Sequence, residues 1–567
     1  MLKPRALVLV LLAVSAPASV LGTGAQPVRA KRGMVTSQNF MASQVGIEVL
    51  WAGGNAVDAA VATAFTLAVT HPAAGNIGGG GLLLYRPAVG EPVAYDFREV
   101  APAGSSPTMF LTSGTYDKKK HHEGYLAVGV PGTVAGLHMA WRAHGNLPWR
   151  RLLEPAIHMA REGFVVTPGL ARSLVKVMPE MKPYPSASAQ FTRKGAPYEP
   201  GDLLQQPDLA ATLERIADRG PAGFYEGKTA ELIEADMKAH GGLITRADLK
   251  AYKPQKRVPL RGTYRGYEVL AMPPISSGGT VLLTMLNVLE GYDLKAKGFA
   301  SADTVHLMAE TMRRAYADRA RYLGDPDFNP EMPIARLISK EHAQELRATI
   351  NEKHATPSTP AGFDFRAESH ETTHLSVMDA DRNAVALTYT LEDSYGSKIV
   401  VPGAGFLLNN EMGDFNAGPG VTTAEGLIGT DPNLAAPGKR MLSSMTPTIL
   451  ARDRKPFLVI GSPGGRTIIN TVLEVIVNVV DFGMNVQEAI DAPRFHHQWL
   501  PDRILAERYG LSPDTIALLR ARGHEVKEGE GDQATQGVAE GVLYDAAADM
   551  LEGGADRRAP DGAVIGR

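Results

Sequence analysis

Two strand-rich stretches lie far apart in this chain, and the region between them is mainly helical. The first stretch covers residues 82–85 and 93–98, and the second covers residues 373–378 and 384–390 on either side of a polar turn. Residues 132–324 carry apolar side chains at helical spacing. Strands that are flanked by helices on both sides predict a layered α+β fold, although periodicity alone does not give the order of the strands.

Composition removes several classes of function. The chain has no cysteine, which excludes disulfides, thiolate zinc sites and thiol nucleophiles, so covalent chemistry must use oxygen or nitrogen. Its 58 Lys and Arg residues nearly balance 61 Asp and Glu residues, for a net charge of -3. This balance argues against a dedicated nucleic-acid-binding protein. With 567 residues, of which 44% are hydrophobic, the chain can build a large core.

The amino terminus has the three parts of a secretory signal peptide. Lys3 and Arg5 precede an apolar run at residues 6–14, and Ala-Pro-Ala at residues 16–18 follows as a small-residue cleavage site. The run is shorter than the roughly 18 residues that a membrane span needs. We therefore expect residues 1–18 to be removed, approximately, and the protein to be exported to a bacterial periplasm or secreted without a stable membrane anchor.

Residues 370–374 (HETTH) match HExxH, the zinc metalloprotease signature, with Glu392 available as a third ligand. That chemistry requires a helix, because only a helix brings residues four apart onto one metal ion. Thr372 and Thr373 are poor helix formers, and the surrounding pattern is that of a loop followed by a strand. Residues four apart on a strand lie about 13 Å from each other. The local sequence therefore disfavours zinc.

A second interpretation makes Thr372 a new amino terminus after chain cleavage. A free amino-terminal threonine carries a hydroxyl nucleophile beside its own general base, the α-amine. Before cleavage, the same hydroxyl could attack the carbonyl carbon of Glu371, and hydrolysis of the resulting ester would release the amine. From this segment alone, an ordinary strand residue remains the favoured interpretation.

Motifs elsewhere in the chain decide between these alternatives. In order, they are residues 75–81 (GNIGGGG), 98–102 (REVAP), 372–377 (TTHLSV), 409–415 (NNEMGDF), 443–447 (SSMTP), 461–465 (GSPGG) and 492–498 (APRFHHQ). Together they resemble the γ-glutamyltransferases, also called γ-glutamyltranspeptidases or glutathione hydrolases, which are N-terminal nucleophile hydrolases. The resemblance runs from about residue 33 to the carboxyl terminus.

The resemblance implies a four-layer αββα sandwich and autocleavage between Glu371 and Thr372. The large subunit would be residues 19–371 and the small subunit residues 372–567, interlocked as one unit. The small subunit would hold 567 − 371 = 196 residues, or about 21 kDa of the 60.6 kDa total. No cofactor is implied.

The resemblance also assigns roles to individual residues. Thr372 would be the nucleophile, with the hydroxyl of Thr390 beside it, and the backbone N–H groups of Gly464 and Gly465 would form the oxyanion hole. The donor-binding residues would be Arg98, Ser443 and Ser444 for the α-carboxylate, and Glu411 and Asp414 for the α-ammonium group. Glu392 falls where many members carry Asn and some carry Glu.

The implied activity transfers a γ-glutamyl group from glutathione or another γ-glutamyl donor to water, an amino acid or a dipeptide. The alternative within the superfamily is a glutaryl-type cephalosporin acylase, and Glu411 and Asp414 argue against it because a glutaryl group would leave them unpaired. A matured but inactive binding protein is a further alternative, which the complete set of site residues disfavours.

Two further features lie outside the motifs that define the family. Residues 416–440 have the length of the lid segment that many bacterial members of the family carry over the pocket, and Glu425 stands where those members usually have an aromatic residue. Because loss of an aromatic cover would leave the acyl-enzyme more open to water, we expect hydrolysis to compete strongly with transfer. The adjacent pairs His121–His122 and His496–His497 are assigned to structural roles, because neighbours on a strand face opposite ways.

Overall fold

The computed structural model describes residues 24–358, 372–421 and 430–567. Two antiparallel seven-stranded sheets form its centre. Sheet I consists, in spatial order, of Ala563–Gly566, Gly33–Ser37, Thr373–Asp379, Ala384–Thr390, Gly80–Arg86, Val93–Phe97 and Gln255–Arg257. Sheet II consists of Val28–Ala30, Met550–Ala555, Glu540–Asp545, Lys455–Gly461, Thr448–Arg452, Tyr267–Ala271 and Leu260–Tyr264.

Three apolar clusters define four layers. The cluster between the sheets includes Met34, Leu82 and Met378 from sheet I and Ile449 and Val459 from sheet II. Alternate residues of the same strands face outward, where helices cover each sheet. The described chain is therefore an αββα sandwich, which confirms the predicted fold class.

The helices divide between the two outer faces. Sheet I is covered by Phe40–Trp51, Ala56–Thr70 and Thr133–His144, with Trp149–Glu162 packed on the second of these. Sheet II is covered by Gly278–Leu289, Thr467–Val480 and Val486–Asp491, and Ala302–Tyr322 packs on the first of these. The remaining α-helices are Lys118–His122, Pro168–Met181, Pro185–Phe191, Pro207–Arg219, Ala222–Tyr225, Gly227–His240, Arg246–Ala251, Leu294–Lys297, Ile334–Leu337, Lys340–Ala348 and Pro513–Ala521.

Shorter strands lie outside the two main sheets. Leu111–Thr112 pairs with Thr115–Tyr116, and Phe164–Val165 pairs with Leu203–Leu204. A third small sheet contains Phe495–His496, Ile504–Ala506 and Val526–Glu528. The region predicted to be mainly helical also supplies three strands of the main sheets, between residues 255 and 271: Gln255–Arg257 is an edge strand of sheet I, Leu260–Tyr264 is an edge strand of sheet II, and Tyr267–Ala271 lies next to the latter.

Each main sheet interleaves strands from both sides of Thr372. In sheet I, Thr373–Asp379 lies between Gly33–Ser37 and Ala384–Thr390, and the latter pairs in turn with Gly80–Arg86. In sheet II, Thr448–Arg452 pairs with Tyr267–Ala271. Neither part of the chain can therefore leave without breaking ladders in both sheets.

The HExxH pattern does not lie on a helix where it can be followed. His374 is on the strand Thr373–Asp379, fully buried, and its ring nitrogens are 2.8 Å from Thr388 Oγ1 and 3.0 Å from Ser376 Oγ. His370 and Glu371 lie outside the described residues, as do the predicted signal peptide at residues 1–18 and Glu425. Among the described residues, no helix is both long and apolar enough to span a membrane.

Candidate active site

Thr372 and Thr390 lie side by side at one end of the two central strands of sheet I. Thr373 pairs with Tyr389 across the ladder, which sets Thr372 opposite Thr390. The Thr372 hydroxyl donates to Thr390 Oγ1 at 3.4 Å, and both residues are buried. Thr390 Oγ1 also accepts a hydrogen bond from the backbone N–H of Glu392 at 2.9 Å. The strand register therefore brings together the two hydroxyls that the sequence predicted.

A tight glycine turn follows strand Lys455–Gly461 and leads into helix Thr467–Val480. Gly464 and Gly465 have φ values of 129° and 55°, which favour glycine. A Cβ on Gly464 would lie 2.5 Å from Thr467 Oγ1, a contact that real Cβ atoms do not make. Helix Thr467–Val480 begins two residues after Gly465, so the pair lies just before a helix start, where backbone N–H groups are available to an anion.

One cavity of about 210 Å³ collects most of the predicted site residues. Its lining includes Thr372, Thr390, Gly465, Arg98, Glu392, Glu411, Asp414, Ser443 and Ser444. Gly464 lies next to Gly465 in the chain but does not line the cavity. Glu371 lies outside the described residues. Residues that are hundreds of positions apart in sequence thus share one small chamber.

Arg98 is the centre of a buried ion-pair cluster. Its guanidinium lies 2.6 Å from a carboxylate oxygen of Glu411, pairs closely with Asp414, and donates from Nε to the carbonyl of Met441 at 3.3 Å. Arg98 and Glu411 are buried, whereas the Asp414 side chain is 38% exposed. Arg98 is therefore paired with Glu411 and Asp414 in the structure, although the sequence assigned Arg98 to the α-carboxylate of the ligand and the two acids to its α-ammonium group.

Burial dominates the electrostatics of the acidic residues in this cluster. It raises the pKa of Glu411 well above its usual range, and the charge of Arg98 opposes that rise. Burial also raises the pKa of Glu99, the neighbour of Arg98, to about 8. For Glu392, burial and then the charges of Asp393, Asp414 and Glu411 raise the pKa well above the usual value. An added positive charge, such as a ligand's ammonium group, would relieve this accumulation.

The two predicted serines differ in their surroundings. Ser444 Oγ accepts a hydrogen bond from Arg319 at 3.0 Å. Ser443 Oγ accepts from the backbone N–H of Met445 at 3.1 Å, and its carbonyl accepts from Ser277. Arg319, on helix Ala302–Tyr322, also lines the cavity. The motif search missed Arg319 because its helix carries no motif that could have marked it.

His122 is a second cavity residue that the sequence analysis missed. It ends the short helix Lys118–His122, lines the cavity, and places Nδ1 3.3 Å from Glu392 Oε1. Its neighbour His121 is buried against Phe110. The expectation of a strand was therefore wrong for this pair, since the residues are helical, and His122 lines the cavity.

The second histidine pair lies in buried hydrogen-bond networks. His496 contacts Asn470 at 2.6 Å, and His497 contacts Asp502 at 3.3 Å. This agrees with the structural role predicted for the pair. Across the described residues, no group of three or more His, Cys, Asp or Glu side chains is arranged to hold a metal ion.

The start of the predicted lid segment is hydrogen-bonded to residues 430 and 433 of the same segment at the cavity. The side-chain amide of Asn416 donates to the carbonyl of Thr430 at 2.8 Å, and that of Asn433 donates to the carbonyl of Asp414 at 2.8 Å. Asn416, Thr430 and Asn433 all line the cavity. The segment 416–440 thus starts and returns beside the cavity.

Comparisons with known proteins agree with this geometry. The model of the γ-glutamyltranspeptidase family matches residues 42–566. A glutathione hydrolase proenzyme of Escherichia coli (strain K12) is 49% identical over 92% of this chain and 90% of its own.

Two solved structures share the fold. A cephalosporin acylase from Bacillus halodurans superposes with a TM-score of 0.85 at 29% identity, over 98% of this chain and 99% of its own. A γ-glutamyltranspeptidase from Helicobacter pylori superposes with a TM-score of 0.55 at 46% identity, over 56% of this chain and 91% of its own. The fold, the cavity that gathers the predicted site residues and the match over nearly the whole chain lead to one conclusion: the chain belongs to the γ-glutamyltranspeptidase family.

Proposed function

We propose that the chain is the precursor of a γ-glutamyltransferase and glutathione hydrolase with Thr372 as its nucleophile. The observation that carries the proposal is the position of Thr372, at the start of a central strand, in the cavity that also holds Thr390, the glycine turn and the Arg98 cluster. The donor would be glutathione or another γ-glutamyl amide. Water, an amino acid or a dipeptide would accept the group.

Maturation would use the same hydroxyl as catalysis. Thr372 Oγ1 attacks the carbonyl carbon of Glu371, and the peptide C–N bond breaks as the acyl group moves from nitrogen to oxygen. Water then hydrolyses the ester, which leaves a carboxylate on Glu371 and a free α-amine on Thr372. The Thr390 hydroxyl, at 3.4 Å, can orient Thr372 Oγ1 during both steps. The products would be a large subunit, residues 19–371, and a small subunit, residues 372–567.

Turnover then follows from the free amine. The α-amine of Thr372 accepts the proton of its own hydroxyl as Oγ1 attacks the γ-carbonyl of the donor. The backbone N–H groups of Gly464 and Gly465 would stabilise the oxyanion. The amine passes the proton to the leaving nitrogen, and the γ-glutamyl group remains as an ester on Thr372. Water or an acceptor amine attacks that ester and regenerates the hydroxyl.

Donor recognition would depend on an exchange of ion pairs around Arg98. The donor's α-carboxylate would bind Arg98 with help from Ser443 and Ser444, and its α-ammonium group would face Glu411 and Asp414. Asp414 is the partly exposed member of the cluster, so it is the partner of Arg98 that can move most cheaply to admit the ligand. A zwitterion supplies both charges that this exchange requires.

A glutaryl-type acylase remains the second candidate because a cephalosporin acylase shares the fold over almost the whole chain. The ion pairs with Arg98 also weaken the earlier argument against it, since Glu411 and Asp414 have a cationic partner without any ligand ammonium group. Rates on L-γ-glutamyl-p-nitroanilide and glutaryl-p-nitroanilide separate the two activities. A preference for the glutaryl compound would reverse the assignment.

The location of the enzyme is part of the proposal. The signal-peptide pattern at residues 1–18 supports export to the periplasm or the medium, with a soluble heterodimer as the exported form.

The deciding experiment is intact-mass analysis and amino-terminal sequencing of the purified protein beside the variant Thr372→Ala. We expect two fragments from the parent, the smaller one beginning at Thr372, and one uncut chain from the variant. Activity on γ-glutamyl-p-nitroanilide should follow the cut form. A fully active, uncut parent chain would exclude an amino-terminal nucleophile.

A further inference from the structure

His122 and Glu392 form a side-chain pair that lies against Gly413. Gly413 belongs to the 3-10 turn Glu411–Asp414, between the two acids in sequence. A Cβ on Gly413 would lie 2.5 Å from His122 Nδ1 and 2.7 Å from Glu392 Oε1. Both side chains are mostly buried, at 17% and 13% exposure. The absence of a side chain at residue 413 therefore allows the pair to reach the wall that carries Glu411 and Asp414.

Asn410 fixes the two chain segments that carry this pair relative to each other. Its side-chain amide donates to the carbonyl of His122 at 3.1 Å and to the carboxylate of Asp393 at 3.0 Å. Its side-chain oxygen accepts from the backbone N–H of Asp393 at 3.1 Å. One asparagine thus holds the backbone of His122 and the residue next to Glu392.

The backbone of Glu392 is held in an unfavourable conformation. Its φ is 78°, in the left-handed region, and its N–H is bonded to Thr390 Oγ1. Strain of this kind persists where surrounding contacts over-determine the geometry. The contacts here direct Glu392 into the cavity, where it faces His122 and adds a third carboxylate near Glu411 and Asp414.

We propose that His122 is a positioning residue that holds the Glu392 carboxylate toward the donor's α-ammonium group, and that it thereby sets the preference for γ-glutamyl over glutaryl donors. This inference rests on the proposed function. An imidazole N–H that donates to one carboxylate oxygen leaves the other available to an ammonium group. Without that contact, Glu392 has other rotamers open to it and loses part of its contact with the ligand. A donor without an α-ammonium group would not sense the difference.

The test compares kinetics of the matured enzyme on L-γ-glutamyl-p-nitroanilide and glutaryl-p-nitroanilide. For His122→Phe, which keeps a ring but no donor, we expect KM for the γ-glutamyl compound to rise about tenfold, or about 1.4 kcal/mol, with a smaller change in kcat. KM for the glutaryl compound should change less than about threefold. His122→Gln, which retains a side-chain N–H, should restore part of the γ-glutamyl preference.

Two further variants make the result specific. Glu392→Gln should raise KM for the γ-glutamyl donor, and adding His122→Phe to it should cause little further loss, because the two residues act as one unit. His158→Gln is the matched control, since His158 is exposed on helix Trp149–Glu162, away from the cavity lining. It should match the parent with both donors.

Three results would overturn the inference: equal losses on both donors, independent losses in the double variant, or an unchanged γ-glutamyl preference in His122→Phe. If His122→Phe yields no soluble protein, His122→Gln and Glu392→Gln still give the comparison. A parent enzyme that is inactive on the γ-glutamyl compound would instead refute the proposed function, so the two failures are distinguishable.

Discussion

At the scale of single residues, the site depends on glycines, which leave space for neighbouring groups, as much as on functional side chains. Gly464 and Gly413 both stand where a Cβ would overlap a neighbour, the first at Thr467 Oγ1 and the second at the His122–Glu392 pair. Arg98 shows the converse, because it fills a buried position only by pairing with acids. Substitutions at these positions should therefore affect function and stability in separable ways.

Gly464→Ala should impair the oxyanion site. Both its φ of 129° and the contact with Thr467 Oγ1 force the turn to shift, which misplaces the neighbouring N–H groups. We expect kcat to fall about 10- to 100-fold with little change in KM, as measured on the cleaved fraction. Gly483→Ala is the control, because Gly483 also has a positive φ, 72°, but has open space around it. Equal effects at both positions would contradict the assignment.

Arg98→Met should destabilise the fold as well as abolish donor binding. It leaves Glu411 buried without its cation, a loss of about 3 to 5 kcal/mol. Adding Glu411→Gln should recover part of the stability, since the uncompensated charge is removed, but no activity. Denaturant unfolding of the single and double variants measures this. A double variant that is no more stable than Arg98→Met would show that the ion pair is not the cause.

At the scale of elements, the strand Thr373–Asp379 carries a polar side chain into the space between the sheets. The ring of His374 lies where a Cβ on Gly461 of sheet II would approach it within 2.2 Å, so the two sheets meet closely there. Burial lowers the pKa of His374 to about 3, from an ordinary value of 6.5. The neutral ring exchanges hydrogen bonds with Thr388 and Ser376 of the same sheet.

The burial of His374 predicts that the folded protein loses stability in acid. Between pH 6.5 and about 3, the unfolded chain binds a proton on His374 that the folded chain does not, so the free energy of unfolding falls as pH falls. The contribution is about 1.4 kcal/mol per pH unit within that window. His374→Gln should be less stable at pH 7, and its disadvantage should shrink as the pH is lowered.

Urea unfolding at several pH values, in the uncleaved Thr372→Ala background, tests this prediction on a single chain. Other histidines, such as His71 and His524, also have pKa values that desolvation lowers. They contribute equally to both proteins and cancel in the comparison. A stability difference that stays constant with pH would rule out His374 as a source of acid sensitivity.

The local sequence pattern predicted individual strands and helices well, but it did not predict which distant strands pair with each other. The strands Thr373–Asp379 and Ala384–Thr390 were predicted because alternation and a polar turn are local signals, and the structure pairs them as a hairpin. The three strands of residues 255–271 were missed inside a mainly helical region. One of them, Tyr267–Ala271, pairs with Thr448–Arg452, and that pairing depends on distant sequence that no local window contains.

The sequence likewise identified some of the site residues and missed others. The family resemblance identified Thr372, Thr390 and Arg98, and the structure gathers them into one cavity. His122 was missed because it belongs to no motif, and because its partner Glu392 lies 270 positions away. The ion pairing of Arg98 with Glu411 could not be foreseen either, since residue roles toward a ligand do not specify contacts in the empty site.

At the scale of the whole molecule, both sheets interleave strands from before and after Thr372. Cutting the chain before Thr372 should therefore not release either part. We expect the cleaved protein and Thr372→Ala to elute at the same native mass in gel filtration, although the cleaved protein alone shows two bands under denaturing conditions. Separate fragments under native conditions would contradict the interlocked arrangement.

Because both sheets contain strands from before and after Thr372, the uncleaved and cleaved forms should refold with different kinetics. Before cleavage, every ladder forms within a single chain, so folding is a first-order process. After cleavage, the same ladders join two chains, and their re-formation from the denatured state becomes second-order in protein concentration. When the denaturant is removed at low protein concentration, the cleaved enzyme should therefore regain little activity. The uncut chain should refold at a rate that does not depend on protein concentration. Maturation would then act as a one-way step, after which the enzyme persists through slow unfolding and not through repeated refolding.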